Sequence, residues 1–424
     1  MKRQDPTIPV PIVRKDEKVG INTEIRKYKL ITPLYGGGEE PAKPDSITVV
    51  RATEVRGHLR FWWRATRGGS FDGDLQKMKK REEEIWGSSG EKGKHGSSDV
   101  IVSVLDAKGG KAIGYLERDK DRNGNKVLIG DPKSSWSYVT FPLNKVKGEV
   151  HEEVSFSLEI KYPNGLMGDV EAALWAWENF GGIGARTRRG FGALQRTDIN
   201  FILSPRGQVA SGIEDGLKKH VLAGIHPAGV PNLGGKIKFK VIPKSDSVTA
   251  WEYLFKRLKA FRQIRNPGTP PRPGRSKWTE PDTIRHMPGM TSLELHSKRL
   301  NEINKFPRAK FGLPIIFEFK DKAKDGKEGD PDKTSLEGKA HDRLASPLIL
   351  RPIACSDGAV GLAVILNWEP VNSAETYTPP GGLVLKGASR DPKVYSDITP
   401  DEAAQIPPLN GETDIFKAFL KTLD

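Results

Sequence analysis

The residues whose types and spacing could do chemistry are concentrated in one stretch, residues 180–194, FGGIGARTRRGFGAL. Its fifteen residues include five glycines and three arginines and no acid. Glycines let backbone N–H groups approach a ligand closely, and guanidinium groups bind anions through paired hydrogen bonds. This composition predicts contact with a phosphate backbone. The predicted contact residues are Gly182, Gly184, Arg186, Arg188, Arg189 and Gly190.

The elements around this stretch argue against a nucleotide-binding turn. Residues 169–180 have apolar side chains at helical spacing with Asp169 suited to the N-cap, and residues 193–203 are typical of a strand. The glycines therefore join a helix to a strand, which is the reverse of the order in common nucleotide folds. No Gly-Lys-Ser/Thr ends a P-loop, and Thr187 stands where a third dinucleotide-binding glycine would be. The alternative is a structural turn whose arginines face solvent.

A second basic stretch, RATEVRGHLRFWWRATR at residues 51–67, has the pattern of a helix. Val55, Leu59, Trp62 and Thr66 share one stripe, and four arginines and Trp63 share the next. An aromatic ring among arginines is what stacking on unpaired bases beside a neutralised backbone requires, although Trp63 could equally pack in a core. The predicted contact residues here are Arg51, Arg56, Arg60, Trp63, Arg64 and Arg67.

The composition narrows the class of protein. The chain has 424 residues, enough for two or three domains, and a net charge of +14, which favours nucleic acid or another anionic partner. One cysteine, Cys355, excludes an internal disulfide and fits a reducing compartment. No apolar run reaches the ~18 residues of a membrane span. We therefore expect a cytoplasmic protein with no membrane contact and no disulfide partner.

The order of the predicted elements favours an α+β fold with antiparallel sheets and two successive units. A long surface loop rich in proline and arginine is expected at 265–290, either as a disordered insertion or as an RNA- or partner-contacting arm carrying Arg272, Arg275, Lys277 and Trp278. A solvated charged loop is expected at 320–342. The predicted boundaries are a mobile tail at 1–20, a first domain at 21–205, a linker at 206–235 and a second domain at 236–424.

Several stretches together resemble the RAMP superfamily of CRISPR-associated proteins, in particular the RAMP subunits of Cmr-type (type III-B) effector complexes. They are ITPLYGGG, VRATEVRGHLRFWWRATRGG, IWGSSG, ENFGGIGARTRRGFGAL, FGLPI and RLASPLILRP, in that order along both halves of the chain. The glycine-rich stretch is common to the superfamily. The paired tryptophans after HLRF narrow the likeness to one type of subunit.

The resemblance implies two tandem ferredoxin-like, RRM-related domains, with the glycine-rich loop after the second helix of the first. It also implies partners: crRNA, single-stranded target RNA and other Cmr-type RAMP subunits. The superfamily's loop falls on five glycines and three arginines, and its basic helix falls on three more arginines. These positions are Gly181, Gly182, Gly184, Gly190, Gly192, Arg186, Arg188, Arg189, Arg56, Arg60 and Arg64.

The resemblance also implies that RNA is bound without being cut, so we expect no catalytic residue, metal or cofactor. Some RAMP relatives are metal-independent ribonucleases, and His58 beside arginines could serve as their general base. Helical spacing places His58 away from the arginine stripe, which favours a packed histidine. No group of His, Cys, Asp and Glu has metal-ligand spacing. The alternatives are an endoribonuclease using His58 and a purely structural assembly subunit.

Overall fold

The computed structural model describes residues 20–40, 43–45, 47–88, 97–131 apart from 121–122, 134, 136–140, 149–269, 274–321, 329–368, 382–388 and 391–424. Residues 1–19 of the tail predicted at 1–20 lie outside the described residues. The described residues form helices and antiparallel sheets, which confirms the predicted α+β class.

The described residues of the first unit form nine strands and four α-helices. In chain order they are β1 (Ile21–Leu30), β2 (Leu34–Tyr35), α1 (Ala52–Arg67), α2 (Leu75–Trp86), β3 (Ile101–Lys108), β4 (Lys111–Ile113), β5 (Tyr115–Lys120), β6 (Lys126–Leu128), α3 (Ser137–Thr140), β7 (Val150–Glu152), β8 (Ser155–Pro163), α4 (Met167–Phe180) and β9 (Leu194–Arg196). The main sheet has the order β3-β8-β1-β9 and is antiparallel throughout. Strands β2, β7 and β4 form a smaller sheet, and β5 pairs with β6.

Helices α1 and α4 cover one face of the main sheet. The alternation of β1 places Arg26 and Tyr28 on the covered face and Lys27 and Lys29 on the open one. Helix α1 buries its apolar stripe as predicted, since Val55 and Leu59 are inaccessible to solvent. The helix order and the sheet therefore bring the basic face of α1 and the loop after α4 to the same side of the unit.

The second unit repeats part of this pattern. After α5 (Val209–His220) come β10 (Lys238–Lys244), α6 (Ser247–Arg262), α7 (Glu280–Arg285), β11 (Ile315–Phe317), β12 (Thr334–Gly338), β13 (Leu348–Cys355), β14 (Gly358–Ile365), β15 (Leu383–Lys386), β16 (Lys393–Val394), α8 (Pro400–Gln405) and α9 (Ile415–Lys421). The sheet order is β10-β14-β13, and α6 packs on it together with α9. Asp246 begins α6 by accepting a hydrogen bond from the Thr249 amide at 2.8 Å.

A separate four-stranded sheet has the order β11-β12-β15-β16. We call it the third sheet, after the main sheets of the two units. Its strands come from two segments on either side of β13 and β14. Its core contains Phe306, Phe317, Leu336 and Leu385. Strand β12 lies in the stretch predicted as a solvated loop at 320–342, so that prediction is wrong for residues 334–338; residues 322–328 lie outside the described residues. Thr334, Leu336 and Gly338 of β12 are buried and alternate with the half-buried Ser335 and Glu337, and the strand pairs with β11 and β15.

Two other loop predictions require correction. The stretch expected to be an irregular linker at 206–235 contains helix α5, which packs against α4. In the arm predicted at 265–290, Trp278 is 1% exposed and donates from its indole to the Phe261 carbonyl at 2.9 Å, while Arg275 pairs with Asp282. Trp278 therefore anchors this segment to α6, and Arg275 anchors it to the Lys298 carbonyl at 2.7 Å; the Arg275–Asp282 pair lies within the segment, and Arg272 lies outside the described residues.

Two further expectations from the sequence concern the single cysteine and the membrane. Cys355 is buried at the end of β13, and this burial raises the pKa of its thiol to about 11. Among the described residues, none of the helices has the length and apolar character needed to cross a bilayer.

Candidate nucleic-acid interface

The arginine stripe of α1 faces α2 and is partly neutralised there. Arg60 and Arg64 both donate to Glu82 Oε1, at 2.6 and 2.5 Å, and Glu82 is 4% exposed. The arginine side chains remain about one third exposed, at 32% and 31%. Two cations on one carboxylate leave one positive charge at this surface. The acid was missed from the sequence because nothing in the stretch KKREEE distinguishes Glu82 from its neighbours.

Trp63 is not exposed among these arginines, so the stacking role predicted for it is wrong. The ring is 1% exposed, and its indole nitrogen donates to Asp169 Oδ1 at 2.7 Å. Asp169 lies in the first turn of α4, two residues after the point where the helix begins, and is not the N-cap. Arg67 approaches the same carboxylate at 3.9 Å and donates to the Gly168 carbonyl. Trp63 and Arg67 thus join α1 to α4.

The amino-terminal half of α1 borders an open groove of about 600 Å³. Arg51 donates to the Gly37 carbonyl on one side, and Glu54 accepts from the Gly184 amide at 2.6 Å on the other. The second oxygen of Glu54 is buried and has no hydrogen-bond partner among the described residues. His58 Nε2 lies 3.8 Å from Glu54 Oε1. We call this feature the α1 groove; its lining residues are Gly37, Arg51, Thr53, Glu54, Gly57, His58, Gly184 and Ala185.

Gly57 lines the α1 groove, and Arg56 precedes it on the same helix. A Cβ at Gly57 would meet no atom within 4 Å, so the helix presents bare backbone there. Glycine in a helix costs roughly 1 kcal/mol relative to alanine, and a close approach by a ligand would explain its presence. Arg56 makes no hydrogen bond or ion pair with any described residue, and its Nε is buried. This guanidinium is therefore available to an anion.

The glycines after α4 pack backbone against backbone and do not form an open cradle. The amides of Ala185 and Gly192 donate to the Tyr35 and Pro33 carbonyls at 2.7 and 2.9 Å, and Ile183 donates to Gly192. A Cβ at Gly192 would lie 1.9 Å from the Ile183 carbonyl oxygen. The N–H groups of Gly184 and Gly190 are also engaged, by Glu54 and Thr187. The expectation that these two amides are open to phosphate is therefore wrong in this structure.

The three arginines of the loop lie between the two units. Arg186 donates to the Val139 carbonyl at 3.1 Å, and Arg188 donates to the Ser346 carbonyl at 2.5 Å. Their guanidinium carbons lie 5.5 Å from the Tyr35 ring and 5.4 Å from the Phe61 ring. The loop is thus a joint as well as a basic surface, a role that the sequence did not reveal.

Arg189 is half-buried beside other cations. Burial lowers the pKa of Arg189 to about 10, and the like charges of Arg262, Arg186 and Arg188 act in the same direction, while Tyr138 opposes them. Its NH1 atom is buried without a hydrogen-bond partner among the described residues. We call Arg186, Arg188, Arg189 and Arg262 the arginine cluster. Arg262 was missed because it belongs to α6, which the sequence assigned to a separate unit.

One group of acids and histidine has the separation of metal ligands in the described part of the chain. His296, Asp321 and Asp330 offer donor atoms within 4.8 Å of one another. Arg285 donates to Asp330 at 2.7 Å, however, and His296 Nδ1 lies 2.8 Å from the same carboxylate. Although burial alone would raise it, the pKa of Asp330 is lowered because these hydrogen bonds favour the carboxylate. The carboxylate already has the positive partner that a metal would supply.

Two buried histidines predict that acid destabilises the fold. His220 stacks on Trp175 with ring centroids 5.2 Å apart, and burial lowers its pKa to about 4. His226 is 6% exposed, has no hydrogen bond to a described residue at either ring nitrogen, and has a pKa lowered by burial. The pKa of histidine in an unfolded chain is near 6.5. The stability that these two neutral, buried histidines contribute is therefore fully present above about pH 6.5 and is lost as pH falls toward about 4. We expect a loss of about 3 kcal/mol from His220 over this range.

The measurement is the thermal unfolding midpoint across a pH series for the wild type and three variants. His226→Met and His220→Gln should each flatten the acid limb of the curve. His58→Gln changes a partly exposed histidine on α1 and should leave that limb unchanged. An identical acid limb in the wild type and both buried-site variants would contradict the assignment.

Comparison with known proteins gives a family match over part of the chain. Residues 27–195 match the family model of the RAMP superfamily. The matched region begins in β1, ends in β9 and contains α1 and the glycine loop.

The chain is also similar to Cmr subunits of CRISPR systems. It is 29% identical over 184 residues to the CRISPR system Cmr subunit Cmr1-2 of Pyrococcus furiosus, covering 39% of this chain and 90% of that protein. It is 28% identical over 153 residues to Cmr1-1 of the same organism, covering 34% of this chain and 40% of that one.

Solved structures give matches along more of the chain at lower identity. The apo crystal structure of Cmr1 from Pyrococcus furiosus aligns with a TM-score of 0.44 and 15% identity, over 84% of this chain and 92% of that one. A chain in the type III-B Cmr-beta complex bound to cognate target RNA aligns with a TM-score of 0.43 and 14% identity, over 95% of this chain and all of that one.

Proposed function

We propose that this protein is a non-catalytic RNA-binding subunit of a Cmr-type (type III-B) CRISPR ribonucleoprotein. It would contact crRNA, single-stranded target RNA or both, beside other RAMP subunits. The similarity to Cmr subunits supports the kind of assembly. The arginine cluster supports RNA as the ligand, because it is the feature that most needs an anion.

The observation that carries the proposal is the environment of Arg189. A guanidinium that is partly removed from water, beside the charges of Arg186, Arg188 and Arg262, and with an unpaired NH1 atom, is unfavourable in the protein alone. A phosphate group would supply both the opposite charge and the hydrogen-bond acceptor. Because Arg188 lies over Phe61 of α1, the cluster adjoins the basic face of that helix.

The other arginines predicted to contact RNA, on and before α1, have two different roles in this proposal. Arg56 has no hydrogen-bond or ion-pair partner among the described residues and is next in sequence to Gly57 of the α1 groove, so it fits a phosphate contact directly. Arg51, Arg60, Arg64 and Arg67 are held by carbonyls or acids and would contribute a positive field around the path of the strand. Such binding follows the RNA backbone, so sequence selection would rest on pairing between guide and target.

The test compares Arg189→Gln with Arg257→Gln by RNA affinity and by stability. Arg189→Gln should weaken binding of labelled single-stranded RNA and reduce the salt slope by about 0.7. The same change removes a half-buried cation from among like charges, so the unfolding midpoint should stay equal or rise. RNA affinity should fall while the unfolding midpoint does not, because Arg189 binds the ligand and does not stabilise the fold. The hydrogen bond from the Trp251 indole to the Arg189 backbone carbonyl does not involve the side chain of Arg189 and is kept in this variant.

Arg257 is the matched control because it is an exposed arginine on α6, the helix that carries Arg262. Arg257→Gln should leave the salt slope close to that of the wild type. Equal slopes for all three proteins would exclude the arginine cluster as a phosphate site. The RNA recovered from each titration in EDTA should be intact on a denaturing gel; cleavage that His58→Ala abolishes would favour the endoribonuclease instead.

We also infer that both units are ferredoxin-like. In the first unit, β1, α1, β3, β8, α4 and β9 follow one another with sheet order β3-β8-β1-β9, the β-α-β-β-α-β arrangement. In the second unit, β10, α6, β13, β14 and α9 follow the same path without a final strand. The third sheet would then be an insertion in this second domain.

A further inference from the structure

Aromatic rings open to solvent are scarce among the described residues. Seven of the nine tryptophans are buried, and Trp175 and Trp368 are half-buried. Among the described side chains, Tyr395 at 55% and Phe201 at 40% are the exposed aromatic residues. Stacking on unpaired bases needs an accessible ring face, and these two rings are the most exposed ones in this part of the chain.

Tyr395 lies on the third sheet, directly after β16. Its backbone carbonyl accepts a hydrogen bond from the Phe306 amide at 2.7 Å, and Phe306 is buried in the core of that sheet. The backbone beneath the ring is therefore fixed while the ring itself stays accessible. Fixed rings lose little conformational entropy when they bind a ligand.

Two lysines flank this ring. The ammonium groups of Lys305 and Lys393 lie 5.8 and 5.5 Å from the ring centroid. These distances are near the outer limit of about 6 Å for cation–π contact, so neither ammonium group is held tightly against the ring. One lysine comes from the loop before residue 306 and the other from β16, so the folded chain brings them together.

The charge of these lysines is available to a ligand. Neither Lys305 nor Lys393 forms an ion pair with a residue that the structure describes. The acids closest in sequence to Tyr395 are already paired: Asp397 with Lys310 at 2.8 Å, and Asp391 with Lys386 at 2.8 Å. An exposed ring between two uncompensated cations is the arrangement by which single-stranded nucleic acid is held.

The other exposed ring has different surroundings. The guanidinium carbon of Arg196 lies 4.7 Å from the centroid of the Phe201 ring, and Asp198 pairs with that guanidinium at 2.6 Å. One face of Phe201 is thus covered by a cation whose charge is already balanced. Phe201 offers a base neither an open face beside free charge nor a phosphate contact.

We propose that Tyr395, Lys305 and Lys393 form a second RNA subsite on the third sheet, separate from the arginine cluster and the α1 groove. Tyr395 stacks on one unpaired base, and the two lysines contact the phosphates on either side of it. This subsite rests on the proposed RNA-binding function, and it extends the RNA path from the first unit to the insertion of the second.

The test uses the full chain and a labelled single-stranded RNA titrated across a salt series. Tyr395→Leu removes the ring and keeps an apolar side chain, Tyr395→Phe keeps the ring, and the pair Lys305→Gln with Lys393→Gln removes the charges. Phe201→Leu is the matched control because it alters the other exposed aromatic ring. Thermal unfolding of each variant checks the fold.

We expect Tyr395→Leu to weaken affinity roughly 5- to 100-fold with an unchanged salt slope, as loss of one stacked base would. Tyr395→Phe should bind like the wild type. The double lysine variant should reduce the slope by about 1.4, twice the single-strand value for one phosphate. Photo-crosslinking to the RNA, followed by peptide mapping, should place an adduct at Tyr395.

The possible failures are distinguishable. Unchanged affinity in Tyr395→Leu with wild-type RNA binding would overturn the subsite, leave the RNA-binding function standing and make a protein partner the better use of the patch. An equal loss in Phe201→Leu would also overturn it, because the effect would not belong to this ring. A wild-type chain that binds no RNA would remove the proposed function and the subsite with it.

Discussion

Gly190→Ala is expected to lower the free energy of unfolding by about 3 kcal/mol. The backbone at Gly190 has a φ of +84°, a conformation that alanine adopts only with strain. A Cβ there would lie 2.5 Å from Cδ1 of Trp251 and 3.0 Å from the Leu350 carbonyl oxygen. Trp251 is fully buried and donates to the Arg189 carbonyl at 2.6 Å, so the ring cannot move away without losing that bond.

Gly212→Ala is the control for this change. Gly212 lies exposed within α5, has ordinary helical backbone, and a Cβ there would meet nothing within 4 Å. Alanine at this position should raise stability by about 0.5–1 kcal/mol. Denaturant unfolding measures both changes: the free energy of unfolding should fall in Gly190→Ala and rise in Gly212→Ala. Equal stability of Gly190→Ala and the wild type would mean that the joint between the loop and α6 is not closed in solution.

The sequence predicted the elements whose patterns are local. Helix α1, with its buried Val55 and Leu59, and helix α4 lie where helical spacing indicated. The glycine loop was found as a helix-to-strand connection for the same reason. Each of these features is recorded in the order of apolar and polar residues within one element.

The errors concern partners that are distant in sequence. The position of Trp63 on the arginine stripe was inferred correctly, but its burial depends on Asp169, which lies on another helix. Strand β12 is five residues long within a charged stretch and has no strong strand pattern of its own; it is a strand because β11 and β15 pair with it. A helical wheel or a window of residues contains no information about such contacts.

The same limit explains what was missed at the candidate interface. The composition of the loop correctly drew attention to Arg186, Arg188 and Arg189, and their contact with RNA stays a prediction. What composition could not show is that the loop also packs on Trp251 of the second unit. Arginines at a joint between units can respond to RNA and hold the units together, so tests of binding need a stability measurement beside them.

Arg351→Met is the second change with a large expected effect, a loss of about 3 kcal/mol in unfolding free energy. Arg351 lies on β13 and is 1% exposed. It donates to the Glu178 carbonyl, to the Leu194 carbonyl at 2.7 Å and to the Trp177 carbonyl at 3.4 Å. Burial lowers the pKa of Arg351 to about 9, opposed by the charge of Glu178. Methionine would fill the space and leave the carbonyls at the end of α4 and in β9 without their donor.

Arg351→Lys should lose nearly as much, because an ammonium group cannot reproduce the planar fork that reaches two chain segments at once. Arg257→Met, an exposed change on α6, should leave stability within about 0.5 kcal/mol of the wild type. Calorimetry adds the decisive reading: since Arg351 ties β13 of the second unit to the first, its loss should split one unfolding transition into two. A single, unshifted transition in Arg351→Met would show that the units are held together by the loop and Trp251 alone.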